Sequence, residues 1–298
     1  MNFFLRMSGD AWTARVQLWF AAACLMAVPV SAAPAETVVR YTPTLEIYQY
    51  RWDLLRLALE HTKATDGPYR LVPSYSSGEL TQSRTMVMLE QGDLDVLTFG
   101  SNAEREAKLL PVRFDILRGM LGYRVLLIRD GDQARFNGLD EASFRKTMTL
   151  GFNSQWADLD ILRSNGYQVV TSPGYDSLFA MLAAGRFDAF PRGLNEAETE
   201  LQQQAKAYPT LREEQTLALY MEYPVYFWVR KGNTALADRI ERGLKLALAD
   251  GSYKRLFQSY HAKEIAQIKR EHRRVFRLRN PALPPGTPPT DTSWWWGG

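Results

Sequence analysis

Two segments of this chain share one frame, "LEQGDLDVLTFG" at 89–100 and "LAAGRFDAFPRG" at 182–193. Each reads Leu, two residues, Gly, one residue, an apolar residue, Asp, two apolar residues, two further residues and Gly. A helix that ends at a glycine and is followed by a buried strand has this pattern. A frame that recurs after about a hundred residues predicts two similar structural units.

The likeness extends upstream of both segments. "YRLVPS" at 69–74 precedes the first and "YQVVTS" at 167–172 precedes the second, and each has Val fourth and Ser last. Further upstream, each half has a Trp-led helical pattern preceded by a β-branched or apolar strand. Strands that alternate with helices predict parallel β-α-β units with right-handed crossovers. A chance match between two α/β segments is the alternative.

Composition limits the classes of function. The chain has 298 residues, 46% of them hydrophobic, which suffices for one large domain or two medium ones. A formal charge of +3 is too small for a nucleic-acid-binding surface, so no nucleic-acid partner is expected. The one cysteine, Cys24, lies in an N-terminal apolar run, so neither disulfides nor cysteine nucleophiles are expected after processing.

The N-terminal region has the features of a targeting segment. Basic residues precede an apolar run at 16–30, and small residues follow it. This pattern predicts a cleavable signal peptide at 1–32 and a periplasmic protein. The alternatives are an uncleaved anchor, cleavage after Ala35, and a lipid on Cys24; the run is shorter than the roughly 20 residues that span a bilayer.

Ligands of open parallel sheets bind beyond the carboxyl ends of the strands, where helix N-termini also point. Among the residues at the predicted strand ends, ten are the candidate ligand-binding residues: Ser76, Ser77, Arg105, Asn153, Ser154, Gln155, Trp156, Tyr175, Arg192 and Asn195. Arg105 and Arg192 stand out, because one guanidinium from each unit can hold a carboxylate or phosphate in two hydrogen bonds. The alternative for Arg192 is a salt bridge, for example to Glu196.

Catalytic signatures are missing from the sequence. The three histidines have no metal-ligand spacing, and neither a Gly-x-Ser-x-Gly elbow nor a Gly-rich phosphate loop occurs. "SFRK" at 143–146 fits Ser-x-x-Lys, but the companion motifs of that enzyme class are absent and a solvated helical turn explains it better. The sequence therefore predicts a non-enzymatic protein without a metal or cofactor.

The order of segments over about residues 37–262 resembles the periplasmic solute-binding proteins of family 3, which serve polar amino-acid uptake. The most specific match is "YPVYFWVRKGNTALADRIERGLKLALADGSYKRLFQSY" at 223–260, supported by the stretches 89–106, 136–154 and 182–193. The resemblance implies an α/β, two-lobed periplasmic binding protein-like II fold. Each lobe would be a mostly parallel sheet flanked by helices, and two crossing strands near 121–124 and 222–226 would join the lobes.

The resemblance also implies a division of the chain: a signal peptide at 1–32, the first part of lobe 1 at 33–122, lobe 2 at 123–223, return helices of lobe 1 at 224–262, and a tail at 263–298. The tail is basic, then rich in proline, and carries three tryptophans, Trp294–Trp296. It is interpreted either as a strap around the protein's own lobe or as a docking segment for a membrane or partner.

Such proteins close like a hinge around a small ligand. Arg105 matches the family arginine that binds an α-carboxylate. The chain departs from the family at Asn153–Trp156, where Gly-Thr-Thr is usual, and at Arg192–Gly193, where the acid for the ligand's α-amino group is absent. A dicarboxylate, a peptidoglycan fragment or another anionic metabolite therefore fits the charges better than an ordinary amino acid, although Glu196 remains an alternative amino anchor.

The expected function is capture of a small polar, carboxylate-bearing solute for delivery to an ABC permease in the inner membrane, by a monomer. A membrane sensor kinase is the alternative partner, in which case the ligand is sensed rather than transported. An envelope enzyme that acts on peptidoglycan is a third alternative.

Overall fold

A computed structural model describes residues 35–43, 46–74 and 80–297; the predicted signal peptide and the candidates Ser76 and Ser77 lie outside these ranges. The strands are β1 (Thr37–Tyr41), β2 (Tyr69–Pro73), β3 (Leu97–Gly100), β4 (Leu109–Val112), β5 (Tyr123–Arg129), β6 (Thr149–Asn153), β7 (Gln168–Ser172), β8 (Phe190–Gly193), β9 (Leu211–Glu213), β10 (Leu217–Met221), β11 (Val225–Arg230) and β12 (Arg274–Leu278). The helices are α1 (Gln49–His61), α2 (Lys63–Asp66), α3 (Gln82–Gln91), α4 (Ala103–Lys108), α5 (Gln133–Phe136), α6 (Glu141–Thr147), α7 (Leu159–Ser164), α8 (Tyr175–Ala183), α9 (Leu194–Gln204), α10 (Thr234–Ala249), α11 (Ser252–Tyr260) and α12 (Ala262–Arg270).

The predicted repeat is confirmed. The first half runs β1, α1, β2, α3, β3 and the second runs β6, α7, β7, α8, β8. In each half the first two strands pair in parallel, with Thr37 opposite Tyr69 and Thr149 opposite Gln168. The shared glycine has the same role in both frames, since Gly92 after α3 and Gly185 after α8 have φ of 84° and 70°. Glycine favours the left-handed conformation that commonly follows the end of a helix.

The strands form two groups, which are the two lobes. Lobe 1 contains the β1–β2 pair and the antiparallel sheet β3-β11-β4. Lobe 2 contains the sheet β12-β10-β5-β8, with β9 also paired to β5, and the β6–β7 pair. The sheets are therefore mixed rather than mostly parallel. The reason is that β5 and β11, which lie next to the passages between lobes, pair antiparallel with all their neighbours, and β10 pairs antiparallel with β5.

The chain passes between the lobes three times: at two neighbouring segments, here called the crossings, and once more between α11 of lobe 1 and β12 of lobe 2. The first crossing lies between β4 and β5 (113–122) and the second between β10 and β11 (222–224). Asp115 ties them together, because its carboxylate accepts hydrogen bonds from the backbone N–H of Leu117, Gly119 and Val225 at 3.1, 2.7 and 3.1 Å. Burial raises the pKa of Asp115 to about 6, although these three donors stabilise its charged form.

The core of lobe 1 depends on a close approach of α1 and α10. The α1 side chains of Leu54, Leu55 and Ala58 are fully buried. A methyl group at Gly243 of α10 would overlap the backbone carbonyl of Ala58, so glycine is needed where the helices touch. As predicted from its pattern, α10 begins after Asn233, whose side chain accepts from the N–H of Leu236 at 3.4 Å.

The segment interpreted as a tail begins with regular structure. After α12, strand β12 adds to lobe 2 in parallel with β10, with Leu217 opposite Arg274. Phe276 and Leu278 are buried in this strand while Arg274 and Arg277 are exposed. That alternation of apolar and polar residues explains the strand.

Residues 279–297, here called the strap, then pack beside the two crossings. Trp295 is buried, and its Nε1 donates to the carbonyl of Arg118 in the first crossing at 2.8 Å. Asp291 forms an ion pair with Arg118, and Nδ2 of Asn280 donates to the carbonyl of Glu222 in the second crossing at 2.9 Å. The segment thus follows the strap interpretation of the sequence.

The strap contacts both lobes through its aromatic rings. Trp294 packs edge-on against Tyr253 and Phe257 of α11, with ring centroids 5.0 and 5.6 Å apart. Trp296 packs on Tyr220 of β10, with centroids 4.7 Å apart. None of the helices in the described residues is both long and apolar enough to cross a membrane.

Candidate functional site

Arg105 occupies the end of the first repeat, on the short helix that follows β3. The helix is capped by Asn102, whose Oδ1 accepts from the N–H of Arg105 at 2.8 Å. The buried guanidinium donates to the carbonyl of Gly100 and to Oε1 of Gln82, both at 2.5 Å, and stacks on Phe99 at 4.7 Å. Its Nε has no hydrogen-bond partner in the described part of the chain. Arg105 is therefore held rigidly and retains one unused donor.

Arg51 is the second cation that lobe 1 supplies. It lies near the start of α1, where its Nη1 is 3.3 Å from the carbonyl oxygen of Thr98 and its guanidinium stacks on Tyr48 at 4.4 Å. Burial lowers the pKa of Arg51. Across the described residues, no carboxylate lies within 4 Å of the guanidinium nitrogens of Arg51 or Arg105.

Arg192 lies near the end of β8 in lobe 2, where carboxylates and aromatic rings surround its buried side chain. Its Nε and Nη2 donate to the carboxylate of Glu200 at 2.6 and 2.5 Å, and Nη2 lies 3.0 Å from Glu196. Its guanidinium stacks on Trp156 at 4.5 Å and on Phe190 at 5.1 Å. Although burial lowers the pKa of Arg192, the charges of Glu196 and Glu200 raise it well above its usual value.

Arg124 connects these acids to the first crossing. It is the second residue of β5, and its Nη2 donates to Asp158 at 2.7 Å, while Nη1 lies 3.7 Å from Glu196. Both Arg124 and Asp158 are buried. The Nε of Arg124 is a second guanidinium donor without a hydrogen-bond partner among the described residues.

Two tyrosines join the lobe 1 cations to the lobe 2 cluster. Tyr48 donates its hydroxyl hydrogen to Oε1 of Glu196 at 3.4 Å. Burial and the charge of Asp158 raise the pKa of Tyr223 to about 12, while the nearby guanidinium groups of Arg105 and Arg124 oppose that shift. Tyr223 belongs to the second crossing, and its ring covers Gly100 so closely that a methyl group there would overlap it.

Four arginines from both lobes therefore surround the meeting point of the two crossings. We call this group, Arg51, Arg105, Arg124 and Arg192, the arginine cluster. Three buried carboxylates accompany it, those of Asp158, Glu196 and Glu200. The cluster thus has one formal positive charge more than its carboxylates balance.

The other candidates from the sequence lie around Arg192. Trp156 is half-buried beneath its guanidinium, and the ring of Tyr175 lies 5.8 Å from it. Asn195 is buried at the start of α9, and within the described ranges its Oδ1 has no hydrogen-bond partner. These three side chains can contribute to a site in which Arg192 is already paired with acids.

The remaining candidates form the loop after β6. Asn153 shapes this loop, because its Nδ2 donates to the carbonyl of Pro173 at 3.0 Å and its Oδ1 accepts from the N–H of Gln155 at 2.8 Å. Ser154 and Gln155 are exposed. The amide of Asn153 is therefore used by the fold, and Ser154 and Gln155 face solvent.

Sequence reasoning did not select six residues in or beside the arginine cluster: Tyr48, Arg51, Arg124, Asp158, Glu200 and Tyr223. Arg124 and Tyr223 lie where the two crossing strands were predicted, so the sequence contained a signal for them. Arg51 lies within a helix rather than in a loop after a strand, and a search limited to strand ends passes over it.

A cavity of about 510 Å³ lies elsewhere, between the strap and the loop from α12 to β12. Its buried cation, Arg273, already pairs with Glu213 and Glu271 at 2.6 and 2.8 Å. No group of three His, Cys, Asp or Glu side chains in the described residues is arranged to hold a metal. The arginine cluster, with its unpaired donors, is therefore the stronger candidate site.

Comparisons with known proteins identify the fold. No family model matches this sequence, and no curated protein matches it. Among solved structures, an ancestral arginine-binding protein bound to glutamine has a TM-score of 0.53 at 16% identity, covering 76% of this chain and 98% of that one. The arginine-bound AbpA, an amino acid ABC transporter substrate-binding protein from Streptococcus pneumoniae, has a TM-score of 0.51 at 12% identity, covering 77% of this chain and 95% of its own.

The structure is also similar to a histidine kinase sensor domain with similarity to periplasmic binding proteins. Its TM-score is 0.51 at 16% identity, and the match covers 76% of this chain and 96% of that domain. Identities this low establish the fold and nothing finer. The chain has the two-lobed α/β fold that these binding proteins and this sensor domain share.

Proposed function

We propose that the protein captures a small, carboxylate-bearing solute between its two lobes and delivers it to an ABC importer. The observation that supports this most directly is the arginine cluster, which combines buried cations of both lobes at the meeting point of the crossings. A buried guanidinium group that has no carboxylate partner among the described residues, such as that of Arg105, is costly, and a bound anion compensates for it. In this proposal the protein acts in the periplasm and carries out no chemical reaction.

The fold supplies a mechanism for capture. Lobes joined by connecting segments such as the two crossings can rotate about them, and closure around a ligand is the usual motion of such a hinge. Arg51 and Arg105 would hold the anionic group from lobe 1, while Arg124, Arg192 and Asn195 approach from lobe 2. Closure then stabilises the complex in proportion to the contacts that the ligand makes with both lobes.

Thermal unfolding with and without candidate solutes tests the proposal. A ligand at a hundred times its dissociation constant adds about 2.7 kcal/mol to the free energy of unfolding. The Arg105→Ala variant should lose that gain, whereas Arg212→Ala, at an exposed position of lobe 2, should keep it. A gain that Arg105→Ala retains in full would contradict the proposed site.

A sensor role is the second candidate, favoured by the likeness to a kinase sensor domain. The ligand site would be the same, but the closed protein would bind a membrane sensor kinase instead of a permease. Uptake of labelled solute by cells with and without the protein distinguishes the two roles. Loss of uptake favours delivery, and unchanged uptake with a lost transcriptional response favours sensing.

A further inference from the structure

We infer that the arginine cluster selects carboxylic acids that lack an ammonium group, such as 2-hydroxy acids, over the corresponding amino acids. This inference rests on the proposed function and specifies its ligand class. Three observations support it. The carboxylates beside the cluster already have hydrogen-bond partners, two of its arginines form no ion pair with a described residue, and the buried Oδ1 of Asn195 has no hydrogen-bond partner among those residues.

Each of the three carboxylates beside the arginine cluster already accepts hydrogen bonds. Glu200 accepts two hydrogen bonds from Arg192, and Asp158 accepts one from Arg124 at 2.7 Å. Glu196 accepts from the backbone N–H of Gly193 at 3.1 Å as well as from Tyr48. A ligand ammonium would have to displace a guanidinium from one of these carboxylates, leaving that arginine buried without its partner.

Glu196 is the acid best placed to meet a ligand, and cations surround it. Although burial raises its pKa, the charges of Arg192, Arg124 and Arg51 lower the pKa of Glu196 below its usual value. Its negative charge is therefore already balanced from three sides. An ammonium that approached it would also approach these three guanidinium groups and be repelled by them.

The unpaired groups favour an anion. Arg51 and Arg105 form no ion pair with any described residue, and the Nε donors of Arg105 and Arg124 are buried without acceptors. Arg105 donates to the carbonyl of Gly100, which the ring of Tyr223 covers, and Nη1 of Arg51 lies 3.3 Å from the carbonyl oxygen of Thr98 on the same strand. A carboxylate bound there accepts from donors that are otherwise unsatisfied and neutralises the surplus charge.

The neutral acceptor near Arg192 distinguishes a hydroxyl from an ammonium. Oδ1 of Asn195 is buried and has no hydrogen-bond partner among the described residues. A ligand hydroxyl has one hydrogen to donate and is satisfied by that single acceptor. An ammonium has three hydrogens, so two of them would remain buried without acceptors, which costs more than the one bond returns.

Calorimetric titration with matched acids tests the inference on the purified protein. The probes are three pairs that differ only in a hydroxyl or an ammonium on the second carbon: lactate and alanine, malate and aspartate, and 2-hydroxyisocaproate and leucine. We expect the best-binding hydroxy acid to bind at least tenfold more tightly than its amino partner. Arg51→Gln should weaken that binding tenfold or more, and the exposed control Arg212→Gln should not.

The outcomes separate the inference from the proposed function. An amino acid that binds as tightly as its hydroxy partner, or more tightly, overturns the ligand class while capture of a solute stands. Absence of binding by all six acids overturns the inference and counts against solute capture at this cluster. The titrations of the native protein decide the question even where a variant fails to fold.

Discussion

The hydroxyl of Tyr48 lies 3.4 Å from Oε1 of Glu196, and this hydrogen bond joins lobe 1 directly to lobe 2. Tyr48 ends a 3-10 turn just before α1, whereas Glu196 lies in the first turn of α9. The bond therefore depends on the two lobes lying as close together as they do in this structure.

Removing this bond should weaken ligand binding without unfolding the protein. The Tyr48→Phe variant loses one hydrogen bond worth about 1 kcal/mol, so the arrangement that binds the ligand becomes less populated and affinity falls by up to about fivefold. Tyr69→Phe is the matched control, since it loses a 3.3 Å hydrogen bond to the carbonyl of Arg56 inside lobe 1. Calorimetric titration measures both, and equal affinities for the two variants would contradict the cross-lobe role.

The pairing of Arg192 with Glu200 should be a large determinant of stability. Both side chains are buried, and Glu200→Ala leaves the guanidinium with only part of its acceptors, which we expect to cost about 3 kcal/mol. The double variant Arg192→Met with Glu200→Leu removes both charges and should be less destabilised than Glu200→Ala alone. Urea unfolding measures the free energies, and a double variant that is worse than the single one would argue against this explanation.

His261 should make the protein sensitive to acid. Burial, with the charge of Arg51, lowers the pKa of His261 from an ordinary value of 6.5 to about 3, so the folded protein holds this ring neutral. The stability it contributes is complete above pH 6.5 and is lost as the pH falls towards 3, because the unfolded chain binds the proton more readily. Between pH 7 and pH 5 this amounts to about 2 kcal/mol.

The His261→Phe variant should remove that part of the pH dependence. The ring packs against Tyr50 and Phe257, with centroids 4.8 and 4.7 Å away, so phenylalanine fits its surroundings. Urea unfolding at pH 7 and pH 5 should show a loss that is smaller by about 2 kcal/mol in the variant. His272 is exposed, and His272→Phe should behave like the native protein. An unchanged loss in His261→Phe would show that other groups cause the acid sensitivity.

The strap should stabilise the protein through Trp295. This ring is 3% exposed, and Trp295→Ala removes both its packing against Tyr123 and its hydrogen bond to Arg118, at an expected cost of about 3–5 kcal/mol. Leu246→Ala, at a position that is 48% exposed, is the control and should change stability little. Thermal unfolding tests this, and a change within 0.5 kcal/mol would be typical of a surface residue.

Gly243 should tolerate no side chain. Alanine there forces α1 and α10 apart at Ala58, and overpacking of a buried contact costs about 1–3 kcal/mol or more. That cost exceeds the gain of roughly 1 kcal/mol that alanine brings to a helix interior. Chemical unfolding of Gly243→Ala should therefore show a net loss of stability, and a net gain would mean that the two helices can separate freely.

The repeat and the helices after it could be predicted because their signals are local. The glycine frame marks where α3 and α8 end, and the leucines of α10 recur at helical spacing. The mixed sheets could not be read from the same pattern. Whether β5 and β11 run parallel or antiparallel to their neighbours depends on how the chain returns between the lobes. The course of the whole chain decides this, not the local sequence.

The candidate site was predictable only in part. Arg105 and Arg192 were selected because they follow strands, yet nothing in the local sequence shows that Arg192 is held by Glu200, eight residues further on. Arg51 and Tyr223 are separated by more of the chain still, and only the fold brings them into electrostatic reach of each other. Spacing predicts which strand end a residue occupies, but not which partners reach it.

The strap has a consequence for spectroscopy. Trp294 rests on α11 in lobe 1, while Trp296 rests on β10 in lobe 2, and their neighbour Trp295 is fixed to the first crossing. A rotation of one lobe against the other alters the surroundings of adjacent indoles. We therefore expect the emission of these indoles to report a rotation between the lobes without an added dye.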